Sequence, residues 1–314
     1  MRAFLIRVGL FLGLLAGLLG WVAFAVEPDA AEVSFLSGYR DKTTRLEQRD
    51  RPGVILVGGS NVAFGFDNPR MSRQIGRPVI NMGLHADLGA RAMLRQIDPH
   101  LVRGDHVVLI FEPDLWTGDA GGSAALAALM IDVDRSVATS MTAGQCISNF
   151  DDVVLYLGRK VCARVGKAFN SLLGRRPPPG AEAIYRRDGF NESGDLTSHW
   201  DIEPIAYVDL PTPRSNAVDE PTFDFVADWV ADARRRGIDV ALLPPVMERS
   251  ASVRYQGLWR SIESGLDRYG LAYAVSRDAF IVDRSDVFDT PYHLRRDAVL
   301  RRTDQVAEIL SDAE

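Results

Sequence analysis

The chain opens on one long apolar stretch and then alternates short apolar runs with segments of helical period. Val8 to Val26 is an uncharged run of 19 residues, preceded by Arg2 and Arg7 and followed by Glu27 and Asp29. As a helix it would be about 29 Å long, close to the hydrocarbon thickness of a bilayer. Positive charge before the run and acid after it predict a cytoplasmic N-terminus, with the rest of the chain outside. Two forms fit. One is an uncleaved signal anchor over residues 1–26. The other is a signal peptide cut after Ala23-Phe24-Ala25, which gives a secreted form; the run exceeds the usual apolar core of such peptides, which favours the anchor.

Residues 27–52 are polar with mixed charge and read as a stalk or a helix leaving the membrane. Gly53 to Val57 is a short apolar run closed by Gly58-Gly59, the pattern of a buried strand. Further strands are expected at Pro78 to Asn81 and His106 to Phe111, with a helix through Leu88, Ala92 and Gln96 between them. Val226, Trp229, Val230 and Ala233 share one helix face, and Arg234-Arg235-Arg236-Gly237 ends that helix. A strand at Ile238 to Leu243 and a last helix from Asp297 to Leu310 complete the alternation, which argues for a parallel sheet covered on both faces. Residues 118–220 break the pattern and read as an insertion, part helix and part loop, with a Pro-rich break at Arg175 to Gly180. Residues 53–314 therefore form one α/β domain carrying that insertion.

Composition narrows the functional classes. The 314 residues carry 36 Lys and Arg against 42 Asp and Glu, a net charge of -6, which disfavours a nucleic-acid partner. Cys146 and Cys162 are the only cysteines and fit either a disulfide or two buried thiols. No His or Cys spacing suits a metal, Gly58-Gly59-Ser60 lacks the Lys of a phosphate loop, and no cofactor is expected.

Ser60 follows the first strand on a Gly-Gly turn, at the carboxyl edge where open α/β sheets bind ligands; the same position also suits a helix N-cap. A serine nucleophile needs a base. Of His85, His100, His106, His199 and His293, the second and third flank the start of a strand, at the far edge. His293 has Asp289 four residues before it, an acid able to hold an imidazole tautomer, and is the best base.

These residues resemble the SGNH (GDSL-type) hydrolase superfamily. Gly58-Gly59-Ser60 with Gly65 matches its first block, with Gly59 in place of Asp; Asn81-Met82-Gly83 fits the second; Asp289 and His293 fit the last with one extra residue between them. The third block's Asn is absent, and Phe111-Glu112-Pro113-Asp114 stands there. The resemblance implies a three-layer αβα, flavodoxin-like fold and a Ser60-His293-Asp289 triad. It also implies an oxyanion hole from the Ser60 and Gly83 N–H groups, with Asn61 and Asn81 as substitutes for the missing donor. Glu112 and Asp114 would organise loops, cap a helix or bind substrate hydroxyls.

The chain looks most like the membrane-anchored members, which include polysaccharide O-acetylation and D-alanyl transfer proteins. By that resemblance it is an extracytoplasmic esterase or O-acyltransferase acting on envelope polysaccharide, with a membrane-bound acyltransferase as partner. Tyr185, Phe190 and Trp200 are then sugar-stacking residues or core. A catalytically silent glycan-binding or scaffold protein and a small-molecule or lipid esterase are the alternatives.

Overall fold

The computed structural model describes residues 1–26, 34–117, 123–139, 141, 143–173 and 184–312. In chain order the elements are α1 (Arg2–Ala25), α2 (Gly38–Glu47), β1 (Val54–Gly58), α3 (Ser60–Ala63), α4 (Asn68–Ile75), β2 (Val79–Asn81), α5 (Gly89–Ile97) and β3 (His106–Ile110). Then come α6 (Ala124–Ala128), α7 (Ser136–Thr139), α8 (Ala143–Ser148), α9 (Phe150–Leu172), α10 (Glu220–Arg235) and β4 (Asp239–Leu242). The C-terminal part holds β5 (Met247–Glu248), α11 (Arg249–Arg254), α12 (Gln256–Arg268), β6 (Ile281–Val282) and α13 (Arg296–Asp312).

Four strands form a parallel sheet in the order β2-β1-β3-β4, and β5 and β6 pair separately. Successive side chains on a strand point to opposite faces, and β1 feeds two cores accordingly. Ile55 and Val57 face one cluster, with Leu94 and Ile97 of α5, Val226 and Val230 of α10 and Ile262 of α12. Val54 and Leu56 face the other, with Met71 of α4 and Val306 and Leu310 of α13. The layered α/β arrangement predicted from the alternation is therefore present, with a central parallel sheet.

Local signals set the element ends. Asp219 caps α10 by accepting from the Thr222 N–H, Pro221 sits in its first turn, and Gly237 beyond it takes a left-handed φ of 78°. The segment expected as a stalk or a helix leaving the membrane does hold a helix, α2, but that helix is packed on the body rather than free. Residues 27–33 lie outside the described residues, but α2 packs on the sheet layer with Tyr39, Lys42 and Leu46 buried. Lys42 Nζ donates to the carbonyls of Asn81 and Gly194, tying α2 to the end of β2 and to the insertion. Asp195, beside Gly194, accepts from the Asn68 N–H and the Asn81 amide, and burial lifts its pKa to about 6.

α1 is long and apolar enough to cross a membrane. It is exposed from Arg2 to Leu18, and the body holds only its last turns, where Val22 is buried. The Pro-rich break at residues 175–180 lies outside the described residues. Cys146 and Cys162 are free and exposed, so the buried-thiol alternative does not hold.

Candidate functional site

The strand order reverses direction between β1 and β3, and open parallel sheets bind ligands in the crevice outside the carboxyl ends of strands at such a point. β1 ends there on Gly58, and the chain turns through Gly59 into α3. Ser60 is the first residue of α3. It makes no capping bond, because Gly59 holds the cap position, so the N-cap reading of the serine does not apply. Ser60 is half-buried, and no hydrogen bond engages its hydroxyl among the described residues.

Glu112, two residues past the end of β3, organises this turn and makes no side-chain cap for the turn that follows it. Its Oε2 accepts from the Gly59 N–H and its Oε1 from the Asn61 N–H, each at 3.1 Å. The N–H between them, that of Ser60, has no partner among the described residues. The carboxylate thus fixes two backbone donors and leaves the third open, at the positive end of a helix turn. Only glycine fits at position 59, because a Cβ there would lie 2.5 Å from Glu112 Oε1 and 2.8 Å from the Ala86 nitrogen.

A buried cation closes the back of the turn. Arg302 of α13 donates to the Asn61 carbonyl at 2.9 Å and to Asn61 Oδ1 at 3.1 Å. Its guanidinium lies over the Phe66 ring at 4.5 Å. Burial pulls its pKa down to about 9, against the opposing field of Glu112, so it remains a cation at neutral pH.

His293 reaches this neighbourhood from the loop before α13. Its ring stacks on Phe64 with centroids 3.9 Å apart and planes 7° from parallel. Phe64 in turn donates its N–H to the Ser60 carbonyl at 2.9 Å. Nδ1 of His293 meets Asp289 Oδ1 at 2.7 Å, and the second carboxylate oxygen accepts from the Tyr185 hydroxyl. Burial works to raise the Asp289 pKa, but the bond and charge of His293, helped by Tyr185, hold the carboxyl below its usual range. Nδ1 is therefore the nitrogen directed at the acid, and Nε2 makes no hydrogen bond among the described residues.

The other sequence candidates divide sharply. Gly83 does not present a free donor: its N–H donates to Asn81 Oδ1 at 2.9 Å, and a Cβ there would meet Val62 Cβ at 2.5 Å. The Asn81 amide donates to the Val62 carbonyl and to Asp195, and the Asn61 amide to the Ile110 carbonyl, so both are committed to holding the loops. The N–H that approaches Gly59 from the loop after β2 belongs to Ala86 and has no partner among the described residues.

Of the remaining histidines, His106 begins β3, at the opposite edge of the sheet from Ser60. His85 Nδ1 accepts from the Asp87 N–H at 3.2 Å. His199 is buried between Phe64 and Phe288, with Nε2 on the Leu294 carbonyl at 2.9 Å, and burial depresses its pKa to about 4. It supports the His293 loop as a neutral ring.

The sequence does not flag Arg302 or the Phe64 ring, and it offers Tyr185 only as a sugar-stacking or core aromatic, not as the donor to Asp289. Tyr185 and Phe190 join Phe35 and Phe64 in a packed aromatic cluster, so these insertion aromatics are core. No cluster of three metal-ligating side chains occurs among the described residues. In sequence, the chain matches no protein-family model and no curated protein, so the reading of this site rests on its geometry.

Proposed function

We propose that the protein is a membrane-anchored, extracytoplasmic serine esterase or O-acyltransferase of the SGNH type. The observation that carries the reading is the juxtaposition at α3. An Asp289-oriented His293 with an unbonded Nε2 stacks on the helix turn that begins with an unbonded serine hydroxyl. The 2-1-3-4 strand order agrees with a flavodoxin-like SGNH core.

In the proposed reaction Ser60 Oγ attacks an ester carbonyl carbon while its proton passes to His293 Nε2. Asp289 stabilises the imidazolium that forms. The carbonyl oxygen becomes an oxyanion and takes the N–H of Ser60 and, in place of Gly83, that of Ala86. Collapse breaks the ester C–O bond, and His293 returns the proton to the leaving alkoxide. The acyl group then moves from Ser60 to water or to a sugar hydroxyl. The resemblance to polysaccharide O-acetylation proteins supports acetyl esters of envelope polysaccharide as substrate and a membrane acyltransferase as partner.

One observation favours a second reading, a silent glycan-binding or scaffold protein. Every side-chain amide at the turn is engaged, so the oxyanion would rest on backbone donors alone, and one such donor is typically worth about 10²–10³ in turnover. Treatment of the full chain with a fluorophosphonate probe separates the two. Labelling of wild type that vanishes in both Ser60→Ala and His293→Ala is the expected result. Folded wild type that resists the probe would replace the enzyme reading by the scaffold.

A further inference from the structure

α9 carries an apolar face that the body of the protein does not use. The helix docks through Leu157 and Lys160, both buried, with the Lys160 ammonium on Asp132 at 2.7 Å and the Tyr156 hydroxyl on the same carboxylate. Next to that docked side, about 20° from Leu157, Phe150, Val154, Val161, Val165, Phe169 and Leu172 fall within an arc of roughly 100° at 3.6 residues per turn, with Asp151 at its edge. Of these, Phe150 is 64% exposed, Val165 63% and Leu172 85%. Phe169 is also exposed, whereas Val154 is half-buried and Val161 37% exposed, so the open part of the face is Phe150, Val165, Phe169 and Leu172.

The neighbour of this helix is the end of α1. Lys160 Nζ lies 3.5 Å from the carbonyl of Ala23, two residues before α1 ends. A helix is about 10 Å across, so α9 passes within one helix diameter of the point where α1 leaves its apolar span. If α1 spans a bilayer, a face beside that point meets the headgroup boundary. Arg159, exposed on the same helix, suits anionic headgroups. Amphipathic helices of this make-up lie in the interface with the apolar side in the acyl boundary.

We infer that α9 is an interfacial membrane helix whose Phe150–Leu172 face lies in the leaflet around α1. The inference rests on reading α1 as a membrane span. Two contacts with the bilayer, one spanning and one lying flat, fix the tilt of the α/β body. The crevice at Ser60 is then held at a set height and orientation over the membrane, which suits a substrate presented there.

The test uses the full chain, with Cys146→Ser and Cys162→Ser as background, in vesicles containing anionic lipid. Single cysteines at Val165→Cys and Phe169→Cys carry an environment-sensitive fluorophore, with Phe11→Cys reporting α1 and Glu308→Cys, exposed on α13, as an aqueous control. Quenchers are nitroxide on lipid acyl chains and iodide in the buffer. Labels at 165 and 169 are expected to be quenched from the lipid, and by iodide at least about threefold less than at 308. Iodide quenching at 165 and 169 equal to that at 308, with a lipid-quenched label at 11, would overturn the interfacial helix and leave the anchor standing. Lipid-insensitive labels at 11, 165 and 169 together would overturn the span and the inference with it.

Discussion

Replacing Glu112 with Gln tests whether a carboxylate, rather than mere volume, holds the nucleophile turn. Each oxygen of Glu112 accepts one backbone N–H, from Gly59 and from Asn61. Glutamine is isosteric but offers one acceptor and one NH₂, so one of those N–H groups would face another donor. A buried unsatisfied donor costs about 1–3 kcal/mol, and turning the surviving charge-assisted bond into a neutral one removes about 1 kcal/mol more. Arg302 would also lose the anion in its field, which adds to the loss. The expected destabilisation is about 2–4 kcal/mol, or roughly 5–10 °C in Tm.

Glu112→Ala loses both bonds and the packing of the side chain, so it should fall at least as far as Gln, with both well below wild type. Denaturant and thermal unfolding of the full chain in detergent, followed by tryptophan fluorescence, measure both; Trp116 and Trp259 are fully buried reporters. Fluorophosphonate labelling of the same variants should slow with the turn. A Gln variant within about 0.5 kcal/mol of wild type, with Ala far below it, would show that Glu112 only fills space and would refute the clamp.

Tyr185→Phe removes the hydroxyl that donates to Asp289 and sits 3.2 Å from His293 Nδ1. Probe labelling should fall roughly three- to tenfold, matching the loss of about 1 kcal/mol of hydrogen bonding, while the aromatic packing keeps the fold; an unchanged rate would remove Tyr185 from the site. His199, with a folded pKa of about 4 below an unfolded 6.5, binds fewer protons in the native state than in the unfolded state between those values. Its contribution is fully present above pH 6.5 and is lost as pH falls towards 4, by at most about 3 kcal/mol. His199→Gln should flatten the stability profile of the wild type in that window, and parallel profiles would disprove the assignment.

The parts of the fold legible in the sequence were those set by neighbours along the chain. β1, β3, α10 and α13 appear within a residue or two of their expected places, because burial period, caps and terminal glycines are short-range signals. The Asp289–His293 pair was legible for the same reason, being four residues apart on one loop. The misreadings share a different cause. α2 looked like a stalk or a free helix because Lys42 and its charged neighbours suggest solvent, yet Lys42 is buried on carbonyls 39 and 152 residues away. Gly83 looked like an oxyanion donor from its place after β2, but the Asn81 side chain takes its N–H.

The sequence by itself therefore determined an apolar N-terminal helix, a layered α/β core with Ser60 at its carboxyl edge, and an acid–histidine pair. Which groups surround Ser60 was decided only in three dimensions. Glu112 meets Gly59 across the strand pairing of β1 with β3, Arg302 meets Asn61 from the last helix, and Tyr185 meets Asp289 from the insertion. A hydrogen bond depends on distances of about 3 Å and on direction, and neither is encoded in residue type or spacing once partners lie 50 or more positions apart. Packing of the two cores against the sheet sets those distances, and with them which N–H groups are engaged and which stay open.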